Sequence, residues 1–339
     1  MKQLLKNSIL LFSFFCFNIY AQAYDFEIDG IYYIYDKTTQ SAFVTSGDIK
    51  YKDHVVIPSS VTYNGRTLEV AAIGVGAFQK CEELTSVDIP KSVKTIKQRG
   101  FSGCKKLSSF IIPNTVTTIE DDVFENCTGL ETIIIEDGEN DLSLGELNSP
   151  LGNRGDRYGI AHYEEKISPK YIYIGRHLGH HYDDGAVRVD YIDIYIMSIE
   201  AFAIGNNTKV VPLRIKESPI PQGNANNKLK YIYSLNMTPP WIIDDLPGSV
   251  YVNTIVYVPI GTKTLYQERD CWKDFFLIEE MDTKDMWNGK GIPNEDPTTV
   301  KTIGLEKEFN NKIYDLQGRC VTKTIKGIYI KDGKKVVKK

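Results

Sequence analysis

The fold is decided by the stretch Ile73-Gly-Val-Gly-Ala-Phe78-Gln-Lys-Cys81-Glu-Glu-Leu84, because it returns twice with the same spacing. The copies keep an isoleucine, a phenylalanine, a cysteine and a leucine. They begin at Ile96 and Ile119, so the period is 23 residues (96 − 73 = 119 − 96). One copy of this length cannot bury its own apolar side chains, whereas stacked copies cover one another and align like residues in ladders. The sequence therefore predicts a solenoid in which each coil of chain lies on the next.

The end of each copy predicts a short β-strand. Apolar and polar residues alternate up to Pro90, which places Val87 and Ile89 inward and Asp88 outward. Pro90 ends the strand because proline has no N–H to donate to a sheet. The expected fold class is an α/β repeat solenoid: a right-handed coil with a parallel β-sheet on one side and turns with short helical pieces opposite.

These repeated residues resemble the BspA-like, Treponema-type leucine-rich repeats of bacterial surface proteins. That pattern runs roughly I-G-x-x-A-F-x-x-C-x-x-L-x-x-I-x-I-P-x-x-V, and residues 73–93 match nearly every fixed position. The next two copies replace the glycine and the alanine but keep the isoleucine, phenylalanine, cysteine and leucine. The resemblance implies a leucine-rich-repeat surface protein of Bacteroidota that takes part in protein binding and cell adhesion.

The sequence divides into five predicted segments. They are a secretory signal peptide at 1–23, an N-terminal β-rich cap with the first coil at 24–72, the solenoid at 73–282, a linker at 283–311, and a short β-rich appendage or sorting-type segment at 312–339. Ala21-Gln22-Ala23 supplies the small residues of a cleavage site after an apolar run. Asp29-Gly30 and Asn64-Gly65 predict tight hairpin turns in the cap. For the last segment two interpretations stay open, a sorting or anchoring signal and a β-hairpin that packs on the end of the solenoid.

The region from 137 to 215 departs from the repeat. Ile199 and Phe202 are three residues apart, where Ile73 and Phe78 are five apart. Residues 148–162 are rich in glycine and charge and predict a loop that bulges from one coil. Stacking of about eight coils is expected over the whole solenoid.

Composition and motifs disfavour several classes of function. The chain has 339 residues, 42% of them hydrophobic, and a net charge of −4, which lacks the basic excess of a nucleic-acid binder. No motif for a phosphate, a dinucleotide, a zinc ribbon or a catalytic nucleophile is present. We therefore expect no enzymatic activity, no cofactor, no metal and no transmembrane span.

For the cysteines and histidines, a structural role is a simpler interpretation than a redox or metal-binding role. Cys81, Cys104 and Cys127 hold one repeat position and should be small buried hydrophobes. A pairing of Cys271 with Cys320 stays open. The segment 177–184 contains three histidines and two aspartates, which could hold a transition metal but read as a solvated loop after a strand.

Strand phasing suggests a binding surface. If the phase of the clean coils continues, one exposed sheet face changes from small and aliphatic residues to tyrosines, which offer rigid contact area with a polar tip. The predicted partner-binding residues are Tyr171, Tyr173, Arg214, Tyr231, Tyr233 and Tyr257. The alternative is that the aromatic rings only stabilise neighbouring strands.

The sequence as a whole predicts a monomeric, exported, non-catalytic protein at the cell surface or outside the cell. Its expected partner is an extracellular or host-surface protein. A glycan is the alternative ligand, because exposed tyrosines also stack on sugars. An enzyme built on a solenoid is a remote third.

Overall fold

The computed structural model describes the backbone of residues 24–144, 159–160, 169–181, 187–188, 192–195, 199–207, 213–216, 228–240, 242–245, 248–286, 313–314, 320–321, 327–331 and 334–338. The predicted signal peptide, most of the predicted linker and most of the predicted loop at 148–162 lie outside the described residues. Within the described residues, no helix is both long and apolar enough to cross a membrane.

The described secondary structure is mostly short strands. In chain order they are β1 (Phe26–Ile28), β2 (Ile31–Asp36), β3 (Ser41–Thr45), β4 (Asp53–Val56), β5 (Ser60–Tyr63), β6 (Arg66–Ile73), β7 (Leu84–Asp88), β8 (Thr95–Ile96), β9 (Ser109–Ile112), β10 (Thr118–Ile119), β11 (Thr132–Ile135), β12 (Leu142–Leu144), β13 (Gly159–Ile160), β14 (Tyr171–Arg176), β15 (Leu178–His181), β16 (Val187–Arg188), β17 (Ile192–Tyr195), β18 (Ala201–Asn207), β19 (Leu213–Lys216), β20 (Tyr231–Ser234), β21 (Ile242–Asp245), β22 (Ile255–Pro259), β23 (Leu277–Met281), β24 (Ile313–Tyr314), β25 (Cys320–Val321), β26 (Gly327–Lys331) and β27 (Lys334–Lys338). The described helices are α1 (Gly248–Asn253), α2 (Lys263–Glu268) and α3 (Thr283–Met286).

A seven-stranded parallel sheet, here called the long sheet, runs along one side of the solenoid in the order β23-β22-β20-β18-β14-β11-β9. Its inner face presents one aligned row of buried apolar residues: Phe110, Ile133, Ile172, Phe202, Ile232, Val256 and Ile278. Strands β4 and β7 pair in parallel, and β7 lies beside β9. The described ladder therefore has nine rungs, close to the expected eight, and the predicted parallel sheet is confirmed.

The opposite side of the regular coils differs from the prediction. It consists of turns and a second parallel ladder, in which β6, β8, β10 and β12 pair in succession. The described part of these coils contains no helix, because the short stretches around Ile96 and Ile119 align residue for residue and hydrogen-bond as strands. The solenoid is therefore richer in strands than the α/β class implies. Its right-handed sense stays a prediction.

Ladders of identical residues fill the core of the regular coils. The Phe101 ring stacks on Phe78 with centroids 4.8 Å apart and meets Phe124 at 6.0 Å. The Cys104 thiol donates a hydrogen bond to the Phe78 carbonyl at 3.1 Å, and Cys127 repeats this contact one coil later. The cysteine at this position is thus a small buried residue, as the sequence predicts. Its thiol also satisfies a backbone carbonyl, which the sequence does not predict.

Coil length changes sharply after the third copy. Aligned residues Ser109 and Thr132 are 23 apart (132 − 109), whereas Thr132 and Tyr171 are 39 apart (171 − 132). The next two steps, through Ala201 to Tyr231, are 30 residues each (201 − 171 = 231 − 201). The long sheet keeps its register across these steps from Tyr171 to Ile174, with a bulge between Ile174 and Arg176, so the extra residues leave the coil between strands. Strands β13, β17 and β19 lie in this extra chain, and together with β21 they form a separate sheet in the order β13-β17-β19-β21.

Alternating charges precede the strands of the irregular coils, where the order is Glu131, Lys170, Glu200, Lys230. From Lys170 onward, each backbone N–H in this series donates to the carbonyl of the residue before it, and the N–H of Glu131 donates to the Ser108 carbonyl of the preceding coil. The side chains pair as well, Lys170 with Glu131 and Lys230 with Glu200. We call these four residues the charge ladder.

At the N-terminal end, β3 pairs in parallel with β6, so the N-terminal strands extend the sheet of the second ladder. Strands β1, β2 and β3 are antiparallel, and β5 and β6 form a hairpin whose tip is Asn64-Gly65. Both predicted turns have the positive φ angles they require, with Asp29 at 51° and Asn64 at 48°. At the other end, β24–β27 form an antiparallel sheet in the order β25-β24-β26-β27. Whether that sheet is a sorting signal or an appendage stays open.

Candidate partner-binding face

The outer face of the long sheet is built from two aligned rows. The first row is Ile111, Ile134, Tyr173, Ala203, Tyr233, Tyr257 and Glu279. The second row is Ser109, Thr132, Tyr171, Ala201, Tyr231, Ile255 and Leu277. The structure therefore places the five tyrosines of the predicted surface on one face of one sheet.

Arg214 does not belong to this face, which corrects the sequence prediction. It lies in β19, where it aligns with Asp193 and Ile243 in the separate four-stranded sheet. The rung that the long sheet actually uses is β18, with Ala201 and Ala203 outward. The sequence misled because both strands alternate apolar and small or polar residues, and the alternation does not show which sheet a strand joins.

The expected exposure of the tyrosines is also corrected. Tyr173 is only 4% exposed and Tyr233 only 2%, whereas Ile111 in the same row is 41% exposed. Two causes are visible. The fully buried Met286 of α3 packs on this face, and the aromatic rings pack on one another. A second apolar core, here called the outer core, results: Ile134, Tyr173, Ala201, Ala203, Tyr233 and Met286, with Tyr171, Tyr231, Leu235, Tyr257 and Met281 packed against it.

Ring stacking gives the outer core its order. Tyr233 stacks on Tyr257 with centroids 5.2 Å apart and planes 14° apart, and Tyr231 stacks on Tyr257 at 6.3 Å and 22°. Offset stacking of this kind adds stability beyond burial. The two alanines of β18 lie between tyrosine rungs on both sides and leave room for the rings. The alternative interpretation of the tyrosines, that they stabilise neighbouring strands, is thus part of what they do.

The carboxylate of Asp137, a residue that is exposed overall, lies at one end of the outer core. The Tyr173 hydroxyl donates to Asp137, 2.8 Å from each carboxylate oxygen. Burial raises the pKa of Asp137, and burial together with this hydrogen bond raises the pKa of Tyr173. Gly205 is required here, because a Cβ atom would approach Asp137 Oδ1 to 2.5 Å and the Tyr173 hydroxyl to 2.7 Å. The side of α3 closes a cavity of about 280 Å³ over this pair, with Leu235 in its wall.

Arg176, beyond Tyr173 on the same strand, is a buried cation that sequence reasoning missed. Its side chain is 0% exposed, and its guanidinium donates to the carbonyls of Asn114 at 2.8 Å and Pro113 at 2.9 Å. Burial lowers its pKa to about 10, while the charge of Glu136 acts in the opposite direction. The arginine joins the last regular coils to the first irregular one, which is a structural role.

A serine, a histidine and an aspartate meet on the exposed part of the same sheet side. The Nδ1 atom of His54 lies 2.7 Å from the Ser86 hydroxyl oxygen, and its Nε2 atom lies 3.4 Å from Asp88. The His54 side chain is 50% exposed and that of Asp88 is 68% exposed. Groups of this kind activate a hydroxyl in a site that excludes water. The exposure of this trio argues for a surface hydrogen-bond network.

The histidine-rich segment is partly described. Leu178–His181 is strand β15 rather than the predicted loop, and it pairs in parallel with β12 and antiparallel with β16. Asp183 and Asp184 lie outside the described residues. Among residues whose side chains are described, no cluster of three histidine, cysteine or carboxylate groups could hold a metal ion. The Cys320 side chain is outside that set, so whether it pairs with Cys271 stays open.

Comparison with known proteins agrees with the repeat. Residues 55–145 match the BspA type leucine rich repeat region in six copies, which confirms the resemblance seen in the repeated residues. No curated protein matches the chain.

Among solved structures, the chain is similar to a leucine-rich repeat protein from Bacteroides ovatus, with 20% identity, 77% of each chain covered and a TM-score of 0.35. A leucine-rich repeat protein from Bacteroides capillosus is 22% identical, over 32% of this chain and 95% of that one, with a TM-score of 0.27. The T. pallidum leucine rich repeat protein is 13% identical, over 64% of this chain and 86% of that one, with a TM-score of 0.33.

Proposed function

We propose, from the premise that this chain is a BspA-type leucine-rich-repeat protein, that it is an exported, non-catalytic surface protein that binds a partner protein and mediates adhesion. Export rests on the predicted signal peptide at 1–23. The proposed contact surface is the outer face of the long sheet, centred on the tyrosines that remain partly accessible there: Tyr171, Tyr231 and Tyr257.

The observation that carries the proposal is the arrangement of these half-buried rings. Tyr231 and Tyr257 stack at 6.3 Å, and all three rest on the fully packed outer core. Rings that are already held in place lose little conformational entropy when a partner covers them. Tyrosine also offers an apolar face with a hydrogen-bonding tip, which is why it is enriched in binding surfaces.

The charge ladder borders this surface and supplies a polar rim. Burial raises the pKa of Tyr171, and the next contribution comes from the nearby Glu200. The positive charges of Lys170 and Lys230 act in the opposite direction and lower the pKa of Tyr171. An apolar centre beside charged, solvent-accessible groups is the usual anatomy of a protein interface. Alternating signs in the rim would select a partner with a complementary alternation.

The test compares one double variant with the intact protein. The mature chain, residues 24–339, is used to capture partners, and the affinity of an identified partner is then measured. The variant Tyr171→Ser with Tyr231→Ser should weaken binding by about 2 kcal/mol or more, as loss of two central aromatic contacts does. Tyr173 and Tyr233 are unsuitable for this test because their burial means that replacement would damage the fold.

Tyr24→Ser is the matched control, since Tyr24 is a partly exposed tyrosine near the N-terminus that hydrogen-bonds only the exposed Asp48 among the contacts described for its hydroxyl. It should leave affinity unchanged. Thermal unfolding of all three proteins verifies that they are folded. Equal affinity of the double variant and the control would refute the proposed surface.

A further inference from the structure

A second concave site lies among the N-terminal strands, apart from the long sheet. It is a cleft of about 440 Å³ between the antiparallel strands β1–β3 and the β5–β6 hairpin. Its lining combines aromatic, charged and amide groups: Asp25, Tyr35, Lys37, Tyr63, Asn64, Arg66 and Leu68. Apolar walls with a few converging polar groups are typical of ligand sites.

Two tyrosines form the walls of the cleft. Tyr35 and Tyr63 lie with ring centroids 6.2 Å apart and planes inclined by 54°. Tyr63 also stacks on the buried Phe26, at 4.1 Å and 10°. One face of Tyr63 is therefore fixed against the core. The ring orientations are set before any ligand arrives, which lowers the entropy cost of binding.

The Arg66 guanidinium at the cleft is positioned by a chain of hydrogen bonds. The Tyr35 hydroxyl donates to the Gln40 side-chain oxygen at 2.7 Å, and the Arg66 guanidinium donates to the same oxygen at 3.1 Å. The Gln40 amide donates in turn to the carbonyl of Lys37 at 2.8 Å. Gln40 thus joins Tyr35 of the aromatic wall to the Arg66 guanidinium and to the backbone of Lys37.

The charges of the cleft favour an anion. Lys37 and Arg66 supply two positive charges against the single carboxylate of Asp25, which accepts a hydrogen bond from the Tyr35 backbone N–H at 2.7 Å. Among the described residues, neither Lys37 nor Arg66 forms an ion pair. A guanidinium that already holds one partner keeps further N–H groups in a planar fork, which matches the geometry of an acidic group.

We propose that this cleft binds an anionic sugar unit, a pyranose ring that bears a carboxylate or a sulfate. The C–H groups of the ring would pack on Tyr63 and Tyr35, because the faces of aromatic rings carry partial negative charge. The acidic substituent would pair with Arg66 and Lys37, and the side-chain amide of Asn64 would meet ring hydroxyls. Asn64 lies at the tip of the β5–β6 hairpin, with φ 48°, and lines the cleft.

The test titrates the mature chain with three disaccharides by calorimetry: one with a uronate, one with a sulfate and one that is neutral. At least one acidic disaccharide should give saturable binding, and the neutral one should bind at least tenfold more weakly (~1.4 kcal/mol). The comparison between uronate and sulfate identifies which acidic group the cleft takes. No binding of either acidic sugar, or equal binding of the neutral one, would overturn the proposal.

Variants locate the site. Arg66→Ala should weaken binding of the acidic disaccharide by about tenfold, the effect of losing a charged hydrogen bond. Arg66→Lys keeps the positive charge without the planar fork of N–H groups. Its affinity for the acidic disaccharide should lie between those of the wild type and Arg66→Ala. Lys91→Ala removes an exposed cation from the regular coils and should change nothing. If Arg66→Ala and Lys91→Ala changed the affinity for the acidic disaccharide equally, the cleft would be excluded as its binding site. The site is separate from the tyrosine face, so its failure would leave the proposed protein binding intact.

Discussion

The regular coils between Ile73 and Ile135 and the irregular coils from Tyr171 to Met281 share one sheet but bury it differently. In the regular coils up to β9 only the inner face is covered, and Asp88 and Ile111 face solvent. Ile134 of the last regular coil already belongs to the outer core. In the irregular coils both faces are covered, the inner face by the solenoid core and the outer face by the outer core.

This difference shows two ways to stabilise a rung. Identical coils stack identical side chains, so a single-sided core of phenylalanine, cysteine and leucine ladders is sufficient. Coils of 39 and 30 residues lose that repetition over much of their length. There the strands gain a second layer, in which large tyrosines alternate with the small rung of Ala201 and Ala203. Substitutions can test whether the regular coils depend on the inner core and the irregular coils also on the outer core.

The largest effect is expected for Phe101→Ala in the regular half. Phe101 is fully buried and packs on phenylalanine rings of its own and both neighbouring coils. Removing it should lower the free energy of unfolding by about 3–5 kcal/mol, measured by urea titration. Val75→Ala, at a position 61% exposed, is the control and should stay within about 0.5 kcal/mol. A loss below about 1 kcal/mol for Phe101→Ala would contradict a ladder-based core.

The next prediction compares two positions of one outer row. Tyr233→Ala should cost about 2–4 kcal/mol, because it removes a buried, stacked ring from the outer core. Ile111→Ala, in the same row of the regular half, should cost less than about 1 kcal/mol because Ile111 is 41% exposed. Urea titration of both variants measures the contrast. Equal losses of unfolding free energy in the two variants would contradict the idea that the sheet is covered on both faces in the irregular coils and on one face in the regular coils.

A smaller effect is expected for the cover of the outer core. Met286→Ala should lower the free energy of unfolding by about 2 kcal/mol, since Met286 is fully buried against the tyrosines. It should also increase chemical nitration of Tyr173 and Tyr233 in the folded protein. Met237→Ala, at a position 56% exposed, is the control. Unchanged nitration with unchanged stability would show that α3 does not protect this face.

The smallest effect is expected for the charge ladder. Hydrogen bonding to Glu131 raises the pKa of Lys170, and both side chains are about half exposed. Lys170→Ala should therefore cost at most about 1 kcal/mol at low ionic strength. The difference from wild type should shrink in 1 M salt, which screens exposed charges. A loss that persists at high salt would indicate packing of the lysine stem instead.

Repetition determines how much of this fold can be predicted. The regular coils follow from three copies of Ile, Phe, Cys and Leu, which give the parallel sheet, the buried cysteines and the outward Asp88 and Ile111. Where the repeat ends, strand alternation alone could not distinguish β18 from β19. The sequence pattern therefore predicts for Arg214 a sheet face to which the residue does not belong.

The burial of the tyrosines could not be predicted for a related reason. Whether an outward side chain is exposed depends on what covers it, and here the cover comes from Met286, 53 residues after Tyr233 (286 − 233), in a segment with linker-like composition. The alanine pair of β18 is the signal that was available. Two small residues at alternate positions, between strands with tyrosines at alternate positions, indicate rings that need room.

The charge ladder has a consequence for the order in which coils assemble. Solenoid coils are similar enough to stack in the wrong sequence, and folding of such arrays starts at several points along the chain. If one coil were left out, Glu131 would lie beside Glu200, or Lys170 beside Lys230, and like charges at neighbouring rungs are destabilising. The alternation of sign therefore disfavours any stacking that omits a single coil.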